Sequence, residues 1–214
     1  MFEKYNTFIF DCDGVILDSN SLKTQAFYDV VIKDGAQFAN KLVQYHKDNG
    51  GISRYKKFEH YLKVINKKSA FTMDNLLENY KNSVVKGLLS CNLTKGFNKF
   101  IKDLKNSHCI IISGGDDLEL NTVFKKRDLS VFFDGGIFGS PKNKDEIIKE
   151  QISKKNIVFP AIYFGDSKYD YEVSKKNEID FIFIYELSEI KNATEWSMKR
   201  KIQCFKNFDE IYHE

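Results

Sequence analysis

Short apolar runs rich in Ile, Val and Phe recur at residues 7–10, 108–112, 161–164 and 181–185. They show little polar alternation, the pattern of strands covered on both faces. The first three end in polar or glycine-rich turns. Between them, amphipathic spacing predicts helices over 98–104, 117–127, 144–154 and 171–177. Strand and helix in repeated alternation predict an α/β fold, a Rossmann-like core with an open parallel sheet.

The interval between the first two runs is far longer than one crossover needs. Within it, Phe27, Val30 and Val31, then Phe58, Tyr61, Leu62 and Ile65, then Leu76, Leu77 and Tyr80 fall at helical spacing. The expected organisation is therefore a core of residues 1–18 and 89–214 with a small α-helical domain, 19–88, inserted into it. Asp48-Asn49-Gly50-Gly51 marks a flexible turn within the insert. Beyond residue 191 the pattern is less regular, and Trp196 and Phe205 are expected to pack that end onto the sheet.

Composition narrows the function classes. The 33 basic and 30 acidic residues leave a net charge of +3, which demands neither nucleic acid nor an anionic membrane as partner. No apolar stretch approaches the roughly 20 residues needed to span a bilayer. Four irregularly spaced cysteines suggest neither a zinc site nor a disulfide framework, so a cytoplasmic protein is expected, monomeric or homodimeric.

Candidate chemistry lies where the predicted strands end. The first runs into Phe10-Asp11-Cys12-Asp13-Gly14, and the C-terminal edge of a parallel sheet is where open α/β folds bind ligands. The third ends in Gly165-Asp166-Ser167-Lys168-Tyr169-Asp170, again carboxylates in a turn before a helix. Each alone has an ordinary reading: Asp13-Gly14 as a plain turn, Asp166 or Ser167 as a helix cap. Together they are much less commonplace. Cys12, between the aspartates, reads as a packed structural thiol.

The stretch from Phe8 to Ser19 resembles the first motif of haloacid dehalogenase-like hydrolases, and Gly165–Asp170 resembles their fourth. The strand ending Ile112-Ser113-Gly114-Gly115 is similar to the second motif, and Gly139-Ser140-Pro141-Lys142-Asn143-Lys144 offers Lys142 or Lys144 for the third. The insert resembles the helical cap of the phosphoglycolate phosphatase and β-phosphoglucomutase branch. The resemblance implies a Mg2+-dependent phosphatase acting through an aspartyl-phosphate on a small phosphate ester. Asp11 would be the nucleophile and Asp13 the general acid and base. Asp11, Asp166 and the Asp13 backbone carbonyl would hold the metal. Ser113 and the N–H groups after it, Gly114 first, would hold phosphoryl oxygens. Lys144 would neutralise transition-state charge, and Asp170 would orient Lys144 or a metal-bound water. For Asp13 to carry a proton near neutrality, anionic neighbours and burial are expected to raise its pKa.

Substrate choice is expected in the insert, with Arg54 as the leading contact and His46, Lys57 and Ser19 beside it. A solvated basic helix face is the competing reading for Arg54, and an ordinary surface residue of the insert for His46. The Asn49–Arg54 segment, with Leu17–Asn20, also resembles phosphatases that accompany surface-polysaccharide pathways. The alternatives are a phosphomutase of the same branch and, from another class, a receiver-like phospho-acceptor domain. The long insert speaks against the receiver.

Overall fold

The computed structural model describes residues 2–104 and 107–213. Six parallel strands, β1 (Thr7–Phe10), β2 (His108–Asp116), β3 (Ile137–Ser140), β4 (Ala161–Gly165), β5 (Asp180–Ile184) and β6 (Gln203–Phe205), form one sheet in the order β3-β2-β1-β4-β5-β6. The chain winds outward to one side of β1 and then to the other, so the β1–β4 boundary is the switch point of a doubly wound fold. Strands β3 and β6 escaped the sequence pattern because both are short and lie at the sheet edges.

Strand side chains alternate between two cores, as the period of two demands. Phe8, Phe10, Ile111, Ile162 and Phe164 pack on one face; Ile9, Ile110, Ile112 and Tyr163 pack on the other. Helices α7 (Lys144–Ser153) and α8 (Lys168–Lys176) cover the second face through Ile147, Ile148 and Val173. The first face is covered by α5 (Phe97–Asp103), α6 (Asp117–Lys126) and the chain end around Phe208. Trp196 of α9 (Ala193–Met198) meets Phe183 at 5.1 Å between ring centres, and Phe205 is buried, as expected.

Between β1 and β2 the chain is helical: α1 (Asn20–Val31), α2 (Ala36–Asp48), α3 (Arg54–His60) running into a π turn, and α4 (Met73–Ser90). Its apolar stripes close on one another, with Phe27 4.5 Å from Tyr80 and 5.3 Å from Phe58. Thr72 and Asn75 form a capping box that fixes the start of α4.

Candidate active site

The loop after β1 turns back at once. Gly14 N–H donates to Leu17 O at 2.8 Å and Ile16 N–H to Cys12 O at 2.9 Å. Gly14 has φ +76°, and a Cβ there would lie 2.2 Å from Asp166 Oδ2, so both backbone conformation and close approach require glycine. Cys12 is fully buried, and burial pushes its thiol well above the ordinary value.

Asp11 is 3% exposed, with Lys144 Nζ 2.8 Å from its Oδ1. Lys144 is the first residue of α7, a helix started by a capping box between Asn143 and Glu146. Its ammonium also donates to Asp170 Oδ1 at 2.5 Å. Lys142, the other candidate, points to solvent and pairs with Glu150.

Asp170 satisfies two readings together. Its Oδ2 accepts from Ser167 N–H and Oγ, closing the capping box of α8, while Oδ1 accepts from Lys144 and from Tyr163 OH.

Asp11, Asp166 and Asp170 each present an oxygen within 4.8 Å of the others, and all three are buried. One ammonium serves this cluster. Burial, only partly offset by Lys144 and reinforced by Asp170 and Asp13, lifts Asp11 to about 6. Burial and the charge of Asp11 push Asp166 well above the carboxylate range. Asp11 Oδ1 has the Lys144 charge nearby but no aligned hydrogen bond. A buried oxygen-lined site short of positive charge is the environment a hard divalent cation fits.

Asp13 departs from expectation. Its Oδ1 accepts from Ser19 Oγ at 2.6 Å and its Oδ2 from Lys23 Nζ at 2.5 Å. Burial works to raise its pKa, but the Lys23 ammonium and these two hydrogen bonds outweigh burial and hold it below the ordinary value. The expected upward shift is therefore corrected. The anionic neighbours are present, but the insert brings a cation closer.

Over this edge lies a cavity of about 320 Å³. Asp11, Asp13, Gly114, Glu119, Asp166 and Glu189 line it from the core, and Lys23, Phe27, His46, Arg54, Lys57 and Tyr80 from the insert. Ser113, Lys144 and Asp170 are buried and do not line it. Ser113 Oγ accepts from Gly115 N–H at 3.1 Å. The 48–51 turn is pressed against the core. A Cβ on Gly114 would sit 2.3 Å from Gly51 O, and one on Gly51 would sit 2.7 Å from Ser167 Oγ.

His46, Arg54 and Lys57 are buried, so the solvated-face reading fails for Arg54 and the surface reading for His46. Arg54 reaches the cavity already paired, 2.8 Å from Glu119 and 3.3 Å from Asp116. His46 is enclosed, with Nδ1 2.7 Å from Lys57 Nζ and Nε2 3.1 Å from Thr24 Oγ1.

Sequence reasoning missed Asn20, which donates to Asp166 at 2.7 Å, and also Lys23, Glu119 and Glu189. Lys23 had a signal: it stands four residues before Phe27, on the apolar stripe of α1. Glu119 is an acidic residue in the first turn of α6, where the helix dipole gives it an ordinary explanation, and Glu189 lies in a loop without pattern.

Residues 8–184 match the model of the haloacid dehalogenase-like hydrolase family, and the chain belongs to that family. Its fold is shared with a predicted phosphatase from Clostridium acetobutylicum (20% identity, 98% of this chain and 97% of that one, TM-score 0.77). It is shared also with a β-phosphoglucomutase from Clostridium difficile (21%, 96% and 92%, TM-score 0.74). A HAD-type hydrolase from Bacillus subtilis solved with magnesium bound has the same fold (17%, 99% and 98%, TM-score 0.67). No curated protein matches the sequence significantly.

Proposed function

We propose that the chain is a Mg2+-dependent phosphate monoester hydrolase that works through an aspartyl-phosphate on Asp11. The observation that carries this is the buried Asp11–Lys144–Asp170 array beside Asp166 at the switch point of a HAD-family sheet. An Asp11 oxygen attacks phosphorus as the bond to the leaving alcohol breaks, and Asp13 gives that alcohol its proton. Asp13 then takes a proton from water, which attacks phosphorus and frees Asp11 and inorganic phosphate. Ser113 and the Gly114 N–H hold the phosphoryl oxygens, and Lys144, oriented by Asp170, compensates their charge. Magnesium, held by Asp11, Asp166 and Asp13, would offset the repulsion between carboxylate and phosphate.

Residues 19–88 act as a cap over residues 1–18 and 89–214, and the cap selects the substrate through Arg54, His46, Lys57 and Ser19. Because Lys23 holds Asp13 ionised, proton loading of Asp13 requires that pair to separate, by cap opening or by an incoming group. The cavity suits a small phosphorylated metabolite of the cytoplasm, such as a sugar, polyol or amino-alcohol phosphate of surface-polysaccharide synthesis. The fold shared with a β-phosphoglucomutase supports phosphomutase activity as the second reading.

Phosphate release with Mg2+ across sugar, polyol and amino-alcohol phosphates tests both. Net phosphate release supports the hydrolase, whereas isomer formation without release supports the mutase. Asp11→Asn should lower turnover at least about 10⁴-fold with the circular dichroism spectrum unchanged. Residual activity within tenfold of wild type would refute the nucleophile.

A further inference from the structure

The buried cations lining the cavity are not equally neutralised. Lys23 has Asp13 at 2.5 Å and Arg54 has Glu119 at 2.8 Å. Lys57, in α3, is only 3% exposed, yet among the described residues no carboxylate lies within 4.0 Å of it. Its Nζ has His46 Nδ1 at 2.7 Å and the Phe27 ring centre at 5.4 Å. His46 can accept there only as the neutral tautomer with its proton on Nε2, facing Thr24 and Glu189. An ammonium has three N–H groups, so two remain for something else.

We propose that Lys57 anchors a second anionic group, and that the phosphate ester taken by this cavity carries a carboxylate or second phosphate away from the bond that breaks. This rests on the phosphatase reading of Asp11. A buried ammonium without a counter-charge is costly, and a ligand that supplies the missing charge recovers that cost. Burial, opposed by Glu189 and aided by Lys23, pushes Lys57 down to about 7, as a cation lacking its partner should be. A hydroxyl could accept one hydrogen bond from Lys57 but would leave the charge unbalanced. Arg54, held by two carboxylates, has less to offer a further anion.

The test compares matched pairs in Mg2+: 2-phosphoglycolate against 2-hydroxyethyl phosphate, and propane-1,3-diol bisphosphate against 3-hydroxypropyl phosphate. In wild type, kcat/KM should favour the anionic member of at least one pair by roughly tenfold or more, the scale of one charge-assisted hydrogen bond, and the pair showing it identifies the anion. Lys57→Met should erase most of that ratio and Lys57→Arg should keep it. Because the readout is a ratio within one protein, an altered active fraction cancels. A ratio near one in both pairs, or one that survives Lys57→Met, overturns the subsite while turnover itself upholds the phosphatase. Calorimetric binding of the same compounds to Asp11→Asn separates the converse case. A Lys57-dependent preference there without wild-type turnover keeps the subsite and rejects the phosphatase, and absence of any preference there rejects the subsite.

Discussion

The two walls of the cavity carry charge in opposite senses. On the sheet side Asp11, Asp166 and Asp170 crowd around the ammonium of Lys144. On the helical side Lys23 and Arg54 draw on carboxylates that the core lends them, the neutral His46 ring faces Glu189, and Lys57 has no carboxylate within 4.0 Å among the described residues. The first wall is short of positive charge and suits a cation with a phosphoryl group. The second carries cations, and its ion pairs with core carboxylates join the two walls across the seam. The proposed function would put reaction chemistry at the sheet edge and substrate selection in the insert.

Beyond the loss of turnover in Asp11→Asn, the largest effect should come from breaking the seam. Arg54→Ala strands Glu119, whose side chain is 1% exposed, and should cost about 3 kcal/mol in urea unfolding. The double variant Arg54→Ala/Glu119→Ala should cost less than the two singles added. Simple additivity would show that the pair does not act as a unit.

The sheet wall should respond to pH instead. The folded pKa of Asp11, about 6, lies above its ordinary 3.8, with burial as the main cause. The protonated fold is therefore favoured at low pH, and that stabilisation disappears as pH rises through about 6. The melting temperature of metal-free protein should fall between pH 5 and pH 7.5, and Mg2+ should restore it at the higher pH. Asp11→Asn should flatten the profile, and an unchanged slope in that variant would remove Asp11 as its source.

Lys23→Met probes the point where the walls meet. Without the ammonium the Asp13 pKa rises, so the alkaline limb of the kcat pH profile should move upward by on the order of one unit. No movement would show that the pair is already broken during turnover. The smallest effect belongs far from both walls. His108 bonds Asp134 and Asn156 against the cost of partial burial, and its pKa is raised. Its contribution is present below about pH 6.5 and lost as pH rises through the folded value. His108→Gln should cost at most about 0.5 kcal/mol at pH 6 and less at pH 8.

Much of the sheet wall was legible beforehand. Asp11 and Asp166 follow apolar runs that become strands, so position at the sheet edge follows from the runs themselves. The third-motif lysine was open between two positions two residues apart. In the fold, α7 begins at Lys144, whose side chain turns inward to Asp11, while Lys142 stays outside. The helical wall was much less legible. Arg54 read nearly as well as a solvated face and His46 as an ordinary surface residue, because the turn and helix of the insert carry no information about what they are pressed against.

The sequence by itself determined the alternation of strand and helix, the helical insert and the carboxylates at strand ends, since these depend on local periodicity and on residues a few positions apart. Tertiary structure decided which groups meet: Lys23 with Asp13, Arg54 with Glu119, the His46 ring with Glu189, and Lys57 with no carboxylate within 4.0 Å among the described residues. The physical reason is that ion pairing and desolvation depend on distances of a few ångströms between segments far apart in the chain. Those distances exist only once the insert has closed over the sheet.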